Sequence, residues 1–205
     1  MRKVLAAWAM VGGAAAGAGQ FDMAAVARWQ AATVVHYQVS GAYHDTTPLA
    51  PGSAHGFVDV TDRVTLEFDW NVRGNAAVGE VRFTNAPSQV LSASSGTSGC
   101  PPPSVKGPYE HLEVTSIAAH PSGLALKGTR SYPAAGISSE SPATCAQQAV
   151  AATRENVTEI LAVASPMLLV MPSGANPNLS VAADKKSFTL KVHGWNWTFT
   201  PTIVK

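Results

Sequence analysis

The longest regular pattern in the chain lies in residues 56–84, which read GFVDVTDRVTLEFDWNVRGNAAVGEVRFT. From Val58 to Val72, large apolar side chains occupy nearly every even position, and polar or charged side chains occupy the odd positions. Alternation with a period of two residues indicates a β-strand that buries one face and exposes the other. One even position, Asp62, interrupts the apolar series. The pattern therefore predicts a long, half-buried strand with one irregularity.

A turn and a second alternating segment follow this strand. Residues 73–75, Arg-Gly-Asn, are typical of a tight turn. Apolar and charged side chains alternate again in residues 79–84. The whole stretch therefore predicts a long antiparallel hairpin with one apolar face and one charged face.

Shorter alternating segments occur in residues 34–44, 112–117, 124–128, 179–183 and 188–199, separated by stretches rich in Gly, Pro, Ser and Asn. They raise the expected total to roughly seven to nine strands, with at most two short helices. The predicted fold class is mostly β, with antiparallel hairpins that form either a strongly curved sheet or half-barrel, or a two-layer sandwich. We read Gly194 as a bulge or sharp bend in the last strand, which favours the curved sheet.

Three further segments carry weaker patterns. Residues 21–31 suit a short helix or a linker, and residues 85–107, rich in Ser, Gly and Pro, predict an exposed excursion from the sheet. Residues 157–171 read either as a buried helix or as two strands interrupted at Pro166; we prefer the strands, because proline disfavours a continuous helix.

The N-terminus has the features of a secretory signal. Arg2 and Lys3 precede an apolar segment, and small residues follow up to Gly19. We expect a signal peptide over residues 1–19 and a single exported β-rich domain over residues 20–205, soluble in the periplasm or outside the cell. A buried N-terminal helix or a retained anchor is the alternative.

The composition excludes several classes of protein. The chain is 46% hydrophobic and 13% charged, which suits a globular domain and not a charge-rich disordered one. Loss of Arg2 and Lys3 with the signal leaves 12 basic against 13 acidic residues, a formal net charge of −1. A nearly neutral product predicts no nucleic-acid partner. We also expect no transmembrane segment after signal cleavage.

The two cysteines of the chain are Cys100 and Cys145. In an oxidising compartment, they predict one disulfide bond that ties down the excursion of residues 85–107. Two buried thiols or a reactive nucleophile are the alternatives.

Acidic residues and histidines are the candidates for chemistry. Glu67 lies two residues before Asp69 on the predicted strand, so both project from one face and suit a hydrolase that uses Glu67 with Asp69 or Glu80. The simpler interpretation is a solvated face with cross-strand ion pairs. The best metal candidate joins His44 and Asp45 to His55, but scattered surface histidines explain these residues better, and we predict no metal and no cofactor.

Aromatic side chains on the alternating strands allow two interpretations. They either fill a core between two layers, or line an apolar cavity that a curved sheet leaves open to a ligand. Our functional hypothesis is an exported binding module, with a hydrophobic small molecule or lipid as a candidate ligand; a structural or protein-interaction domain and a carboxylate-based hydrolase are the alternatives. The predicted apolar ligand face comprises Leu66, Phe68, Trp70, Val81, Phe83, Trp195 and Trp197.

Overall fold

The computed structural model describes residues 22–48, 56–95, 99–102, 104–105, 111–132, 135–136, 153–170 and 177–205. Within these ranges, the α-helix α1 covers Met23–Ala31 and a 3-10 helix covers Pro166–Val170. The strands are β1 Val34–Pro48, β2 Phe57–Asn71, β3 Ala76–Ser94, β4 Ser104–Val105, β5 Leu112–His120, β6 Gly123–Tyr132, β7 Ala135–Gly136, β8 Thr153–Leu161, β9 Leu179–Val181, β10 Phe188–Val192 and β11 Trp195–Ile203.

Two antiparallel sheets form the body of the protein. The larger sheet has six strands in the order β3-β2-β1-β11-β10-β9, and the smaller one has the order β5-β6-β8. Strands β4 and β7 form a separate two-stranded pair. The predicted fold class is therefore confirmed: the chain is mostly β and antiparallel, and the arrangement of the two sheets is sandwich-like.

The predicted hairpin of residues 56–84 is present as β2 and β3. Strand β2 alternates between buried and more exposed positions along its whole length, and its apolar even residues from Val58 to Trp70 are at most 5% exposed. Asp62 does not break this pattern, because its side chain also lies on the buried face. The core between the sheets joins Val64, Leu66, Phe68 and Trp70 of this strand to five side chains of the smaller sheet: Leu112, Val114, Leu124, Leu126 and Leu161.

Aromatic rings contact one another in two groups within this core. Tyr37 stacks on Phe68 with ring centroids 5.4 Å apart, and its ring edge meets Phe199 at 6.2 Å. Trp195 stacks on Trp197 at 4.5 Å. The inner face of the six-stranded sheet is thus filled largely by aromatic side chains in mutual contact.

Strand β3 corrects the prediction for residues 85–107. The strand continues to Ser94, in register with β2 up to the pair Phe57–Ser94, so the first part of the predicted excursion is sheet. Three register shifts interrupt this pairing. The segment is exposed as predicted, since Val90 is 38% and Leu91 51% exposed. The β conformation was missed because a strand at the edge of a sheet has less buried surface to impose an alternating pattern.

The structure tests two weaker predictions. Residues 23–31 form the helix and not the linker, with the Asp22 side chain accepting a hydrogen bond from the Ala25 amide. Our preference for two strands within residues 157–171 is half right, because the strand ends at Leu161 and a 3-10 helix follows at Pro166. Among the described residues, none of the helices has the length and apolar character needed to cross a bilayer.

Our interpretation of Gly194 was wrong. The strand does not bulge there but ends: His193 and Gly194, with φ of 49° and 83°, form the two-residue turn between β10 and β11. Two consecutive positive φ angles match the twist of a tight hairpin. The change in phase of the apolar pattern therefore marks a reversal of the chain.

Candidate binding site

The outer face of the six-stranded sheet carries a group of four paired side chains, which we call the outer charged cluster: His36, Glu67, Asp69 and Arg82. His36 Nδ1 lies 2.7 Å from Asp69 Oδ1, and His36 Nε2 lies 3.3 Å from Glu67 Oε1. Arg82 Nη2 lies 2.9 Å from Glu67 Oε2. Three adjacent strands, β1, β2 and β3, place these side chains next to one another because their residues are cross-strand neighbours.

The cluster is the setting of the acidic residues that we proposed for hydrolysis. Glu67 and Asp69 project from the same face, as predicted, and together with Glu80 they line a surface pocket of about 350 Å³. Both carboxylates have basic partners, and their side chains are 38% and 42% exposed. Asp59 lies elsewhere, with its Oδ1 2.8 Å from His44 Nε2. This arrangement agrees with cross-strand ion pairing on a solvated face.

A larger groove of about 390 Å³ adjoins the cluster and runs across β3, β2, β1 and β11. It shares Glu67 and Arg82 with the pocket described above. The polar side chains that line the rest of it are hydroxyls and one amide: Gln38, Ser40, Thr65, Thr84, Thr198 and Thr200.

Several of these polar side chains have unused hydrogen-bonding capacity. Ser40, Thr65 and Thr84 are exposed, and none of the three makes a side-chain hydrogen bond with another described residue. Gln38, which is exposed, and Thr200, which is half-buried, also make no side-chain hydrogen bond with another described residue. Hydroxyl and amide groups both donate and accept, so a ligand in the groove can exchange hydrogen bonds with them in place of water.

The predicted apolar ligand face lies mostly in the core. Leu66, Phe68, Trp70, Trp195 and Trp197 are 2–5% exposed and pack against the smaller sheet and against one another. Val81 and Phe83 are half-buried against the same core. The cavity beside Trp195 and Trp197 measures about 10 Å³, which is room for about one water molecule. An apolar ligand at this place requires the two sheets to separate.

A second polar group lies on the inner face, and we call it the inner polar cluster: Asp62, Ser88 and His111. Asp62 Oδ2 lies 2.7 Å from His111 Nδ1, and Asp62 Oδ1 accepts hydrogen bonds from Ser88 Oγ and from the Leu112 amide. The Ser88 oxygen accepts in turn from the His111 amide. The Asp62 and His111 side chains are 3% and 0% exposed. The cluster therefore joins β2 and β3 to the start of β5 inside the protein.

Further contacts strengthen this join. The Asn85 side chain donates to the Val114 carbonyl and accepts from the Val114 amide, at 2.8 and 3.1 Å. The Tyr43 ring lies parallel to the His111 ring at a centroid distance of 6.2 Å. Burial raises the pKa of the Tyr43 hydroxyl, and the nearby Asp45 carboxylate raises it further. These groups serve as polar links between the two sheets.

The predicted metal site, disulfide bond and signal peptide lie partly or wholly outside the described residues. Within the described ranges, no group of three or more His, Cys, Asp or Glu side chains is arranged to hold a metal ion, and His55 lies outside those ranges. Cys145 and residues 1–19 also lie outside them, so the disulfide bond and the signal peptide stay predictions. In the described part of the chain, no cysteine is free.

Comparison of the chain with protein-family models, with curated proteins and with solved structures finds no match.

Sequence reasoning missed the inner polar cluster but noticed one sign of it. Asp62 stands at an even position of β2, where its neighbours are apolar, and a carboxylate placed among core residues needs hydrogen-bond partners. Its partner His111 is 49 residues away in sequence. The alternation marks the buried acid, but only the packing of the two sheets identifies the histidine.

Proposed function

We propose that this protein is a non-enzymatic, exported binding module that holds a polar ligand in the groove on the outer face of the six-stranded sheet. One observation carries the proposal: the groove of about 390 Å³ is lined by hydroxyl and amide side chains with unused hydrogen-bonding capacity. Ligand sites combine a concave surface with a few convergent polar groups. Export rests on the signal-like N-terminus.

The packing on the inner face supports a polar ligand over the apolar ligand that we first expected. The aromatic side chains that would contact a lipid already contact each other and the smaller sheet. The outer groove offers a preformed volume and needs no rearrangement of the core. A polar molecule is the better match for side chains such as Gln38 and Thr65.

The proposal is tested by following backbone amide NMR signals of the full chain during titration with a panel of small polar metabolites. We expect shifts that concentrate in β1, β2, β3 and β11. Ser40→Tyr places a ring in the groove at a strand position that tolerates aromatic residues, and it should abolish the binding.

The matched control is Thr158→Tyr, since Thr158 is exposed on β8 of the smaller sheet. This variant should bind like the unmodified chain. Shifts that spread without preference over both sheets, or binding that survives Ser40→Tyr, would contradict the proposal.

A second candidate function, a protein-interaction domain, is favoured by the edge strand β3. Among the strands that the structure describes, β3 pairs only with β2. It exposes the apolar side chains of Val78, Val90 and Leu91 by 47%, 38% and 51%. An edge strand presents backbone groups that can pair with a strand of another chain.

Sedimentation velocity over a range of protein concentrations tests whether another copy pairs at this edge. Leu91→Lys should abolish any association, because charged residues on edge strands oppose pairing. Ile160→Lys, which changes an exposed side chain of β8, is the control and should leave it intact. Association that persists in Leu91→Lys rules out this edge.

A further inference from the structure

A row of hydroxyl side chains crosses the entire six-stranded sheet on its outer face. Each member lies directly opposite the next in the strand register, from β3 at one edge to β9 at the other. All six are exposed or half-exposed. In order across the sheet, the row consists of Thr84, Thr65, Ser40, Thr198, Thr189 and Ser180.

The dimensions of the row follow from sheet geometry. Neighbouring strands lie about 4.8 Å apart, so six strands place the hydroxyls along a line of roughly 24 Å. Four of the six, including Ser40 and Thr65, also line the groove of about 390 Å³. Within the described residues, the row contains one internal side-chain hydrogen bond, between Thr189 and Thr198 at 3.0 Å.

We propose that the hydroxyl row binds an extended, neutral oligosaccharide that runs perpendicular to the strands; this inference rests on the proposed function of the groove. Sugar hydroxyls donate and accept, as Ser and Thr hydroxyls do, so each strand crossed offers one matching partner. A linear sugar chain advances by about one strand spacing per ring, which gives room for about five rings. The right-handed twist of strands lets a twisted polymer follow the row.

The hydroxyl row itself carries no charge, and this matches a neutral chain. On one side lie Glu67 and Arg82, which already pair with each other at 2.9 Å. On the other side, Arg63 and Lys191 are exposed on the neighbouring positions of β2 and β10. Arg63 and Lys191 would attract an acidic chain, so an acidic hexamer is the competing ligand in the test.

The test is a titration of the full chain with defined oligosaccharides, followed by isothermal calorimetry and by backbone amide NMR. The probes are dimers and hexamers of β-1,4-linked glucose, β-1,4-linked mannose, β-1,4-linked N-acetylglucosamine and α-1,4-linked glucose, with a hexamer of α-1,4-linked galacturonic acid for comparison. We expect at least one neutral hexamer to bind more tightly than its dimer, with shifts on all six strands of the row.

Removal of one hydroxyl at constant shape sharpens the test. Thr65→Val should weaken binding of that hexamer roughly 2- to 10-fold, the effect of one lost hydrogen bond. Thr158→Val removes an exposed hydroxyl from β8 and should change nothing. Unfolding midpoints in urea show whether each variant keeps its fold.

The outcomes separate this inference from the function on which it rests. Small polar metabolites that bind in the groove while no neutral hexamer binds overturn the inference and leave the proposed function standing. Binding of the galacturonic acid hexamer alone, equal affinity for dimer and hexamer, or no response to Thr65→Val also overturns the inference. A groove that binds neither metabolites nor oligosaccharides overturns both.

Discussion

The two faces of the six-stranded sheet hold the same contact in opposite environments. On the inner face, Asp62 and His111 approach to 2.7 Å with side chains 3% and 0% exposed. On the outer face, Asp69 and His36 approach to the same distance with side chains 42% and 26% exposed. Both acids belong to β2, so one strand supplies a buried and a solvated copy of one interaction. The difference shows that distance alone does not determine what a contact contributes.

Burial determines how much each of the two contacts contributes to the free energy of unfolding. Water screens the outer contact and stabilises its partners when they separate, so exposed ion pairs contribute about 0–1 kcal/mol. Water does not reach the inner contact, so the removal of Asp62 leaves several buried donors without an acceptor. Contacts on the inner face should therefore contribute more to the stability of the fold than contacts on the outer face.

The largest expected effect comes from Asp62→Ala. The substitution deprives Ser88 Oγ, His111 Nδ1 and the Leu112 amide of their shared acceptor inside the protein. We expect the free energy of unfolding to fall by about 3–5 kcal/mol, as for other broken buried polar pairs. Urea denaturation of the variant and the unmodified chain measures this difference.

Asp69→Ala is the matched control on the outer face of the same strand. Its expected cost is below about 1 kcal/mol. Equal losses of stability in the two variants would show that burial does not separate the two contacts, and the comparison would fail.

Gly41 and Ser40 allow a second comparison, between adjacent residues on opposite faces. A Cβ atom at Gly41 would overlap the Trp197 ring, which is 4% exposed and stacked on Trp195. We expect Gly41→Ala to lower the free energy of unfolding by about 1–3 kcal/mol, the cost of overpacking a dense core. Ser40→Ala should change it by less than about 0.5 kcal/mol. If thermal or urea unfolding showed that Ser40→Ala lowers stability more than Gly41→Ala does, our assignment of the two faces would be wrong.

The inner face of this sheet was the part of the molecule that the sequence could predict. Its signal is local, since the alternation from Val58 to Trp70 gives both the strand and the side of it that is buried. The hairpin with β3 follows from a turn of a few residues. The continuation of β3 to Ser94 gave no comparable signal, because most of that part of the strand is exposed and its pairing contains register shifts.

The groove and the hydroxyl row were not predictable in the same way. Ser40, Thr65 and Thr198 were each visible as polar positions of a strand, but their alignment depends on the order and register of three strands. Thr198 is 158 positions from Ser40 and becomes its neighbour only because β11 pairs with β1. Strand order depends on how the whole chain packs, and no local pattern records it.

A smaller effect is expected from Tyr37→Phe on the inner face. The Tyr37 hydroxyl donates to the Ala164 carbonyl at 2.8 Å, so its loss should cost about 1 kcal/mol at neutral pH. Burial raises the pKa of Tyr37 well above its ordinary value near 10. Below about pH 10, both the folded and the unfolded chain keep this proton, and its contribution to stability is complete.

At higher pH, the unfolded chain loses the Tyr37 proton while the folded chain retains it, so the free energy of unfolding falls as the pH rises. Tyr37→Phe removes this contribution, so the stability of the variant should decline less steeply above about pH 10 than that of the unmodified chain. Part of the decline should persist, because burial also raises the pKa values of Tyr43 and Tyr132. Identical slopes for the two proteins in alkaline urea titrations would contradict this assignment.

The smallest effect is expected from Glu67→Gln on the outer face. Glu67 is 38% exposed and pairs with Arg82, which is 69% exposed, so the substitution should cost less than about 1 kcal/mol at low salt. This small difference should shrink further in 1 M salt, where the screening length is about 3 Å.

The loss of stability caused by Asp62→Asn on the inner face should persist in 1 M salt, because buried pairs are screened much less. A salt-dependent loss for Asp62→Asn, or a salt-independent one for Glu67→Gln, would break the distinction between the two faces. The Glu67→Gln variant also tests the hydrolase alternative. If the unmodified chain hydrolyses a glycoside or an ester and Glu67→Gln does not, the outer face is catalytic.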